Sequence, residues 1–164
     1  MTKEIVYKNK WFKVIKEGKW HYIVEKNSRN GAVILMLEED NDFIFVKNHR
    51  VAVDKILLEL PRGYGDENED SIDAAIREAF EETGYKIDKQ NILKLGSVYP
   101  NSAILESKID IFFAKVKQVD KIKEPDIEIL ELIKIPVKNI NKYIKKGNIQ
   151  DSFSLSALSL YYAL

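Results

Sequence analysis

A chain of 164 residues is long enough to bury one core of its own, and its 45% hydrophobic and 32% charged content is near the norm for globular chains, so a single soluble domain is expected. Twenty-six basic and 26 acidic residues give zero formal net charge, which offers no overall electrostatic case for a nucleic-acid polymer or an anionic membrane as partner. With no cysteine and only His21 and His49, disulfides, thiolate nucleophiles and histidine-rich zinc sites are excluded, leaving carboxylates as ligands for a hard cation.

The opening stretch, Met1 to Val14, alternates charged and apolar positions and has no apolar run before a small-residue cleavage site, so a cytoplasmic location is expected. Alternating, β-branched segments at roughly 4–8, 11–17, 20–26, 31–38, 43–47 and 55–60 read as strands. Breaks at Asn9, Gly18, Asn27 to Gly31 and Glu38 to Asp42 favour tight turns, so several of these connections should be hairpins. Residues 1–30 read as an antiparallel strand element that needs the main domain or another subunit for support, and 31–164 as the main domain.

After a loop over Gly63 to Asn68, the spacing predicts a helix from Asp70 to Thr83, with Asp70 or Ser71 as N-cap and Gly84 at the C-terminal cap. Further strands are expected near 92–99, 108–117 and 127–135, then a helix near 137–146 stopped by Gly147, and a last helix from about Asp151. Strands that precede helices without a βαβ rhythm argue for an α+β fold, layered as an α/β/α sandwich with a mixed sheet.

On the predicted helix Glu78, Glu81 and Glu82 stand at i, i+3 and i+4 and share one face, while Ile72, Ala75, Ile76, Ala79 and Thr83 lie on another. A solvated acidic stripe is the usual meaning of such a pattern. These acids repel one another, however, and oppose the macrodipole at a helix C-terminus, and a hard divalent cation would compensate both effects. An arginine at position 77, one turn before Glu81, can fork onto a carboxylate and fix it for metal binding.

The whole segment, Gly63, five residues, Glu69, seven residues, then Arg77-Glu78-Ala79-Phe80-Glu81-Glu82-Thr83-Gly84-Tyr85, resembles the Nudix signature. Seven fixed identities in register occur by chance at a given position on the order of once in 10⁸. Ala79 is a small choice at its position, and Tyr85 is bulkier and more polar than the aliphatic residue usual there. The resemblance implies a Nudix fold and hydrolysis of a diphosphate bond in a nucleoside diphosphate derivative that depends on Mg²⁺, with Mn²⁺ as the alternative ion. It also implies that Glu78, Glu82, often Glu81, and the backbone carbonyl of Arg62 hold the metal, while Arg77 and Glu69 orient that set. Metal-ligated oxygens then polarise the diphosphate and activate a water without any serine, cysteine or histidine.

Flanking residues narrow the resemblance. Glu59-Leu60-Pro61-Arg62-Gly63, Val46 to Arg50, Tyr99-Pro100 and the tail Gly147 to Ser152 are similar to the ADP-ribose pyrophosphatase branch. That implies ADP-ribose as substrate, with Arg50, Arg62 and Pro100 as substrate-binding residues, although Pro100 can simply end a strand and Arg50 can pair with a surface acid. Asn48-His49-Arg50 departs from the Gln-Tyr-Arg common in that branch, so a nucleotide sugar or a dinucleoside polyphosphate remains the alternative substrate. A nucleotide-binding regulatory module is the alternative of another class, disfavoured because the glutamates are all present. An RNA-directed decapping enzyme is disfavoured by the neutral charge. The branch also implies a homodimer built on the N-terminal strands, with Trp11, Phe12, Trp20 and Tyr22 supplying aromatic area. Its water-activating base often comes from a late loop, where Glu124 is the first choice, Asp126 its neighbour and Glu106 the runner-up.

Overall fold

The computed structural model describes residues 2–164. Three strands, β1 (Lys3–Lys8), β2 (Phe12–Glu17) and β3 (Trp20–Glu25), form a separate antiparallel sheet in the order β1-β2-β3. It is tied to the rest of the molecule where the Ile23 N–H donates to the Ile104 carbonyl at 2.7 Å and the Glu106 N–H donates to the Ile23 carbonyl at 3.0 Å. The strands β4 (Gly31–Glu38), β5 (Asp42–Arg50), β6 (Lys55–Glu59), β7 (Arg62–Gly63), β8 (Ile92–Val98), β9 (Ile109–Val116) and β10 (Glu131–Pro136) make a second sheet. Its path runs β10-β5-β4-β9-β8, with β6 paired to β5 and β7 to β4. Only the β4–β9 pairing is parallel among these, so the sheet is mixed as expected.

The apolar run of β4 explains the layering. Every residue of Gly31–Glu38 is buried, and a strand reads as continuously apolar only when both faces of the sheet are covered. Ala32, Ile34 and Met36 face the helix α1 (Ser71–Thr83), whose Ala74, Ala75 and Ala79 let it lie close to the sheet. Val33, Leu35 and Leu37 face the other way, into a core with Phe43, Phe45 and Ile135 and with the helices α2 (Ile140–Lys145) and α3 (Ser152–Tyr161). Two cores back to back across one sheet are the α/β/α sandwich. No helix of the described residues is long and apolar enough to cross a membrane.

Three local readings change. The strand expected over 127–135 begins at Glu131, because Asp126 to Ile129 is a turn in which the Ile129 N–H donates to the Asp126 carbonyl at 3.0 Å. The helix expected near 137–146 opens with a 3-10 turn, Val137–Asn139, before α2. The two-residue strand β7 was too short to give a periodic signal. Asp70 occupies the N-cap position of α1 but makes no side-chain capping bond, whereas Gly84 ends the helix at φ 80°. A Cβ on Gly84 would lie 1.9 Å from the Lys123 carbonyl oxygen, so a glycine there both reverses the chain and lets segment 121–126 dock on the helix end. Tyr85 is fully buried, and its hydroxyl donates to Glu38, which also accepts from Lys134 Nζ.

Candidate active site

The Pro61 carbonyl accepts from the Ile34 N–H at 3.0 Å, which pins the turn before α1 to the central strand. The backbone then passes so close to the helix that a Cβ on Gly63 would lie 2.0 Å from Glu78 Oε1. Only glycine fits there without moving the acid. One residue earlier, the Arg62 N–H donates to Glu82 Oε2 at 3.2 Å. Glu78 and Glu82 therefore approach the same turn from one face of α1.

Arg77 organises the acids. Its Nε and Nη2 donate to Glu69 at 3.0 to 3.3 Å, its Nη1 to Glu78 at 2.8 Å and Glu81 at 3.0 Å, and its Nη2 also to the Tyr64 carbonyl at 3.0 Å. This hydrogen bonding from Arg77 holds the Glu69 carboxyl below its usual range. Burial draws the Arg77 pKa down, but the carboxylates of Glu69 and Glu78 outweigh it and hold the guanidinium above its ordinary value. Burial raises Glu78, opposed by Arg77. Burial, then the neighbouring Glu78 charge, pushes Glu82 up to about 8.

Glu78 and Glu82 line a cavity of about 290 Å³ together with Arg50, Arg62, Glu128 and Phe153. Among the described residues three roomier hollows exist, about 450 Å³ beside the N-terminal sheet, about 530 Å³ behind α1 and about 410 Å³ around Lys86 and Asp120, but none is lined by Glu78 or Glu82, and chemistry rather than volume marks the site. Arg50 and Arg62 come from the strands β5 and β7 rather than from α1, both gripped by Glu59, and the Arg62 guanidinium lies 4.6 Å from the Phe153 ring centroid.

The residues singled out in the sequence fall into two groups. Glu69, Arg77, Glu78, Glu81, Glu82, Arg50 and Arg62 come together here. Pro100 stands in the turn after β8 and is not part of the cavity lining. Glu124 is turned to solvent, its side chain 87% exposed and paired with Lys121 at 3.0 Å. Asp126 pairs with Lys123, and Glu106 with Arg29 at the hollow beside the N-terminal sheet. The late loop brings Glu128 to the cavity instead, because the Asp126 N–H is held by the Glu81 carbonyl and the Leu130 N–H by the Lys47 carbonyl, which fixes the turn between them beside the cavity. Reading 127–135 as strand hid Glu128. Asp151 lay in the tail, Phe153 one residue beyond it and Glu59 in the lead-in, but nothing local marked their roles.

Among the described residues no three His, Asp or Glu side chains converge tightly enough to enclose an ion by themselves. Glu78 and Glu82, half-buried acids with raised pKa values, are nonetheless a hard-oxygen pair suited to a cation that completes its shell with backbone carbonyl, water and phosphate oxygens, and Glu81 can join by leaving Arg77.

The NUDIX domain profile matches residues 27–153. The chain is 28% identical over 131 residues to the methanol dehydrogenase activator of Bacillus methanolicus, covering 78% of this chain and 70% of that protein. It is 25% identical over 140 residues to the ADP-ribose pyrophosphatase of Bacillus subtilis (strain 168), covering 82% and 75%. It is 28% identical over 139 residues to the GDP-mannose pyrophosphatase of Yersinia enterocolitica, covering 79% and 71%.

The raised pKa of Glu82 has a sign that can be measured. The folded protein keeps this proton up to about pH 8, while the unfolded chain loses it in the ordinary carboxylate range, so metal-free stability falls as pH rises between the two. A divalent cation must displace the proton, so its affinity rises with pH toward 8, by at most about tenfold per unit for one proton. Calorimetric Mg²⁺ titrations at pH 7 in buffers of different ionisation enthalpy should detect proton release that disappears in Glu82→Gln. An affinity independent of pH from 6 to 8, with no proton released, would overturn the assignment.

Proposed function

The chain belongs to the Nudix family, as a hydrolase acting on nucleoside diphosphate derivatives, and from this premise we propose that it cleaves ADP-ribose to AMP and ribose 5-phosphate with Mg²⁺. The observation that carries the reading is that Glu78 and Glu82 line one cavity together with Arg50 and Arg62. Carboxylates suit a cation and guanidinium forks suit phosphate oxygens, so a diphosphate has complementary groups of both kinds. ADP-ribose in particular is supported by likeness to the Bacillus subtilis enzyme and by the Glu59 to Gly63 lead-in.

In this proposal Glu78, Glu82, Glu81 and the Arg62 carbonyl hold the cation, which when bound polarises the diphosphate and lowers the pKa of a nearby water. Arg77, braced by Glu69, keeps Glu78 and Glu81 oriented. Arg50 and Arg62 align the phosphates. Glu128 takes the proton from the attacking water, in place of Glu124, because Glu128 is the late-loop acid on the cavity wall.

We also assign the N-terminal sheet to a homodimer interface. Every residue of β1 is exposed, and Ile5, Tyr7, Trp11 and Trp20 are each more than half exposed, which is more apolar and aromatic surface than a lone small sheet usually shows to water. Light scattering at micromolar concentration should give close to twice the 19.0 kDa chain mass. A monomer mass ends the dimer assignment.

A substrate panel read by mass spectrometry should give the highest kcat/KM for ADP-ribose, with AMP and ribose 5-phosphate as products. A clear preference for GDP-mannose or diadenosine polyphosphates would replace ADP-ribose, and tight nucleotide binding without any hydrolysis would point to a regulatory module instead. Within that assay, Glu128→Gln should lower kcat by about a hundredfold or more at nearly unchanged KM, while Glu124→Gln stays within about twofold of the parent. The reverse pattern returns the base to Glu124.

A further inference from the structure

Two arginines from different strands converge on one buried acid. Arg50 ends β5 and Arg62 begins β7, yet both guanidiniums meet Glu59, the last residue of β6, whose side chain is 1% exposed. Arg50 Nε lies 2.9 Å from Glu59 Oε1 and its Nη2 donates to Oε2, while Arg62 Nη2 donates to the same Oε2 at 3.0 Å. Arg62 is held from two further directions, by Asp151 Oδ1 at 3.6 Å and by the face of the Phe153 ring. Asp151 in turn is fixed as the N-cap of α3, accepting from the Ser154 N–H at 2.9 Å.

Glu59 is not part of the cavity lining, so it touches no substrate, but both groups it grips are. Two guanidiniums left to themselves would repel and each would sample many rotamers. A shared carboxylate removes the repulsion and fixes both forks. Among the described residues neither Arg50 Nη1 nor Arg62 Nη1 donates a hydrogen bond, and Arg62 Nε is a buried donor without a partner.

We propose that Glu59 is a positioning residue that holds Arg50 and Arg62 as one oriented pair, their free N–H groups set to bridge two successive phosphates, with Asp151 fixing the second arginine. The inference rests on the reading of this cavity as a diphosphate site. A paired donor set favours a ligand with two linked phosphates over a ligand with one, and that difference separates positioning from simple structural support.

The test is calorimetric binding of ADP and of AMP, each with Mg²⁺, to the parent chain, to Glu59→Gln and to Asp151→Asn, with melting temperatures in parallel. Asn remains a good N-cap, so Asp151→Asn releases Arg62 without unseating α3. The parent should bind ADP more tightly than AMP. Glu59→Gln should weaken ADP by about tenfold and AMP by less than about threefold. Asp151→Asn should weaken ADP selectively by a smaller factor, and it decides the matter alone if Glu59→Gln fails to fold. Equal losses for ADP and AMP, or no loss in a folded variant, overturn the positioning role while leaving the diphosphate reading intact. A parent that does not prefer ADP overturns both.

Discussion

Glu78 and Glu82 are one helical turn apart, half-buried and aimed into the same hollow, and each is harder to ionise there than in water. Burying carboxylates without compensation costs several kcal/mol per ion. Much of the neighbouring architecture answers that cost. Arg77 spends its donors on Glu69, Glu78, Glu81 and the Tyr64 carbonyl, which joins the loop before α1 to the acidic face of the helix in one charge-assisted network. Gly63 removes the Cβ that would collide with Glu78, and the Arg62 N–H gives Glu82 a donor. The helix can be held this close only because Ala74, Ala75 and Ala79 pack its inner face against Ala32, Ile34 and Met36 of β4. Small residues in the core and a glycine in the turn thus serve the same end: they let polar backbone and acidic side chains meet at short range.

What the sequence made legible follows from how local each signal is. The buried run of β4, the amphipathic α1 and Gly84 as its stop depend on residues a few positions apart, and the observed elements lie within a few residues of the expected ones. The Arg77–Glu81 contact was legible for the same reason, since the two stand at i, i+4 on one helix, whereas Glu69 lies outside α1 and was implied only by the resemblance. The partners missed are set by tertiary pairing. Glu59 meets Arg50 only when β5 and β6 pair, and Glu128 reaches the cavity only when the loop is tethered between Glu81 and Lys47. A proline at 125 marked the place where regular structure fails, but not which acid the turn would deliver. Tyr85 was an apparent departure at an aliphatic position, and it fits because its hydroxyl reaches Glu38 across the core while its ring fills the volume.

The charges around the cavity divide the work of recognition. Two guanidiniums, Arg50 and Arg62, stand among the carboxylates of Glu59, Asp151, Glu78, Glu82 and Glu128. Even with Glu82 protonated below about pH 8, that set is acidic, so the arginines do not attract a diphosphate by net charge. Their charge is already matched by Glu59 and Asp151, and what they retain is direction, in planar donors held by buried acids and an aromatic face. In the proposed reaction the attraction would come from a cation gathered by the glutamates of α1, whose charge would offset the acids and the phosphates together. Separating the two roles has a physical advantage. A site made attractive by loose arginines alone would take many small anions, whereas one that is acidic until a cation arrives, and geometrically fixed throughout, selects ligands that bring oxygens to the metal and to the guanidinium forks at once.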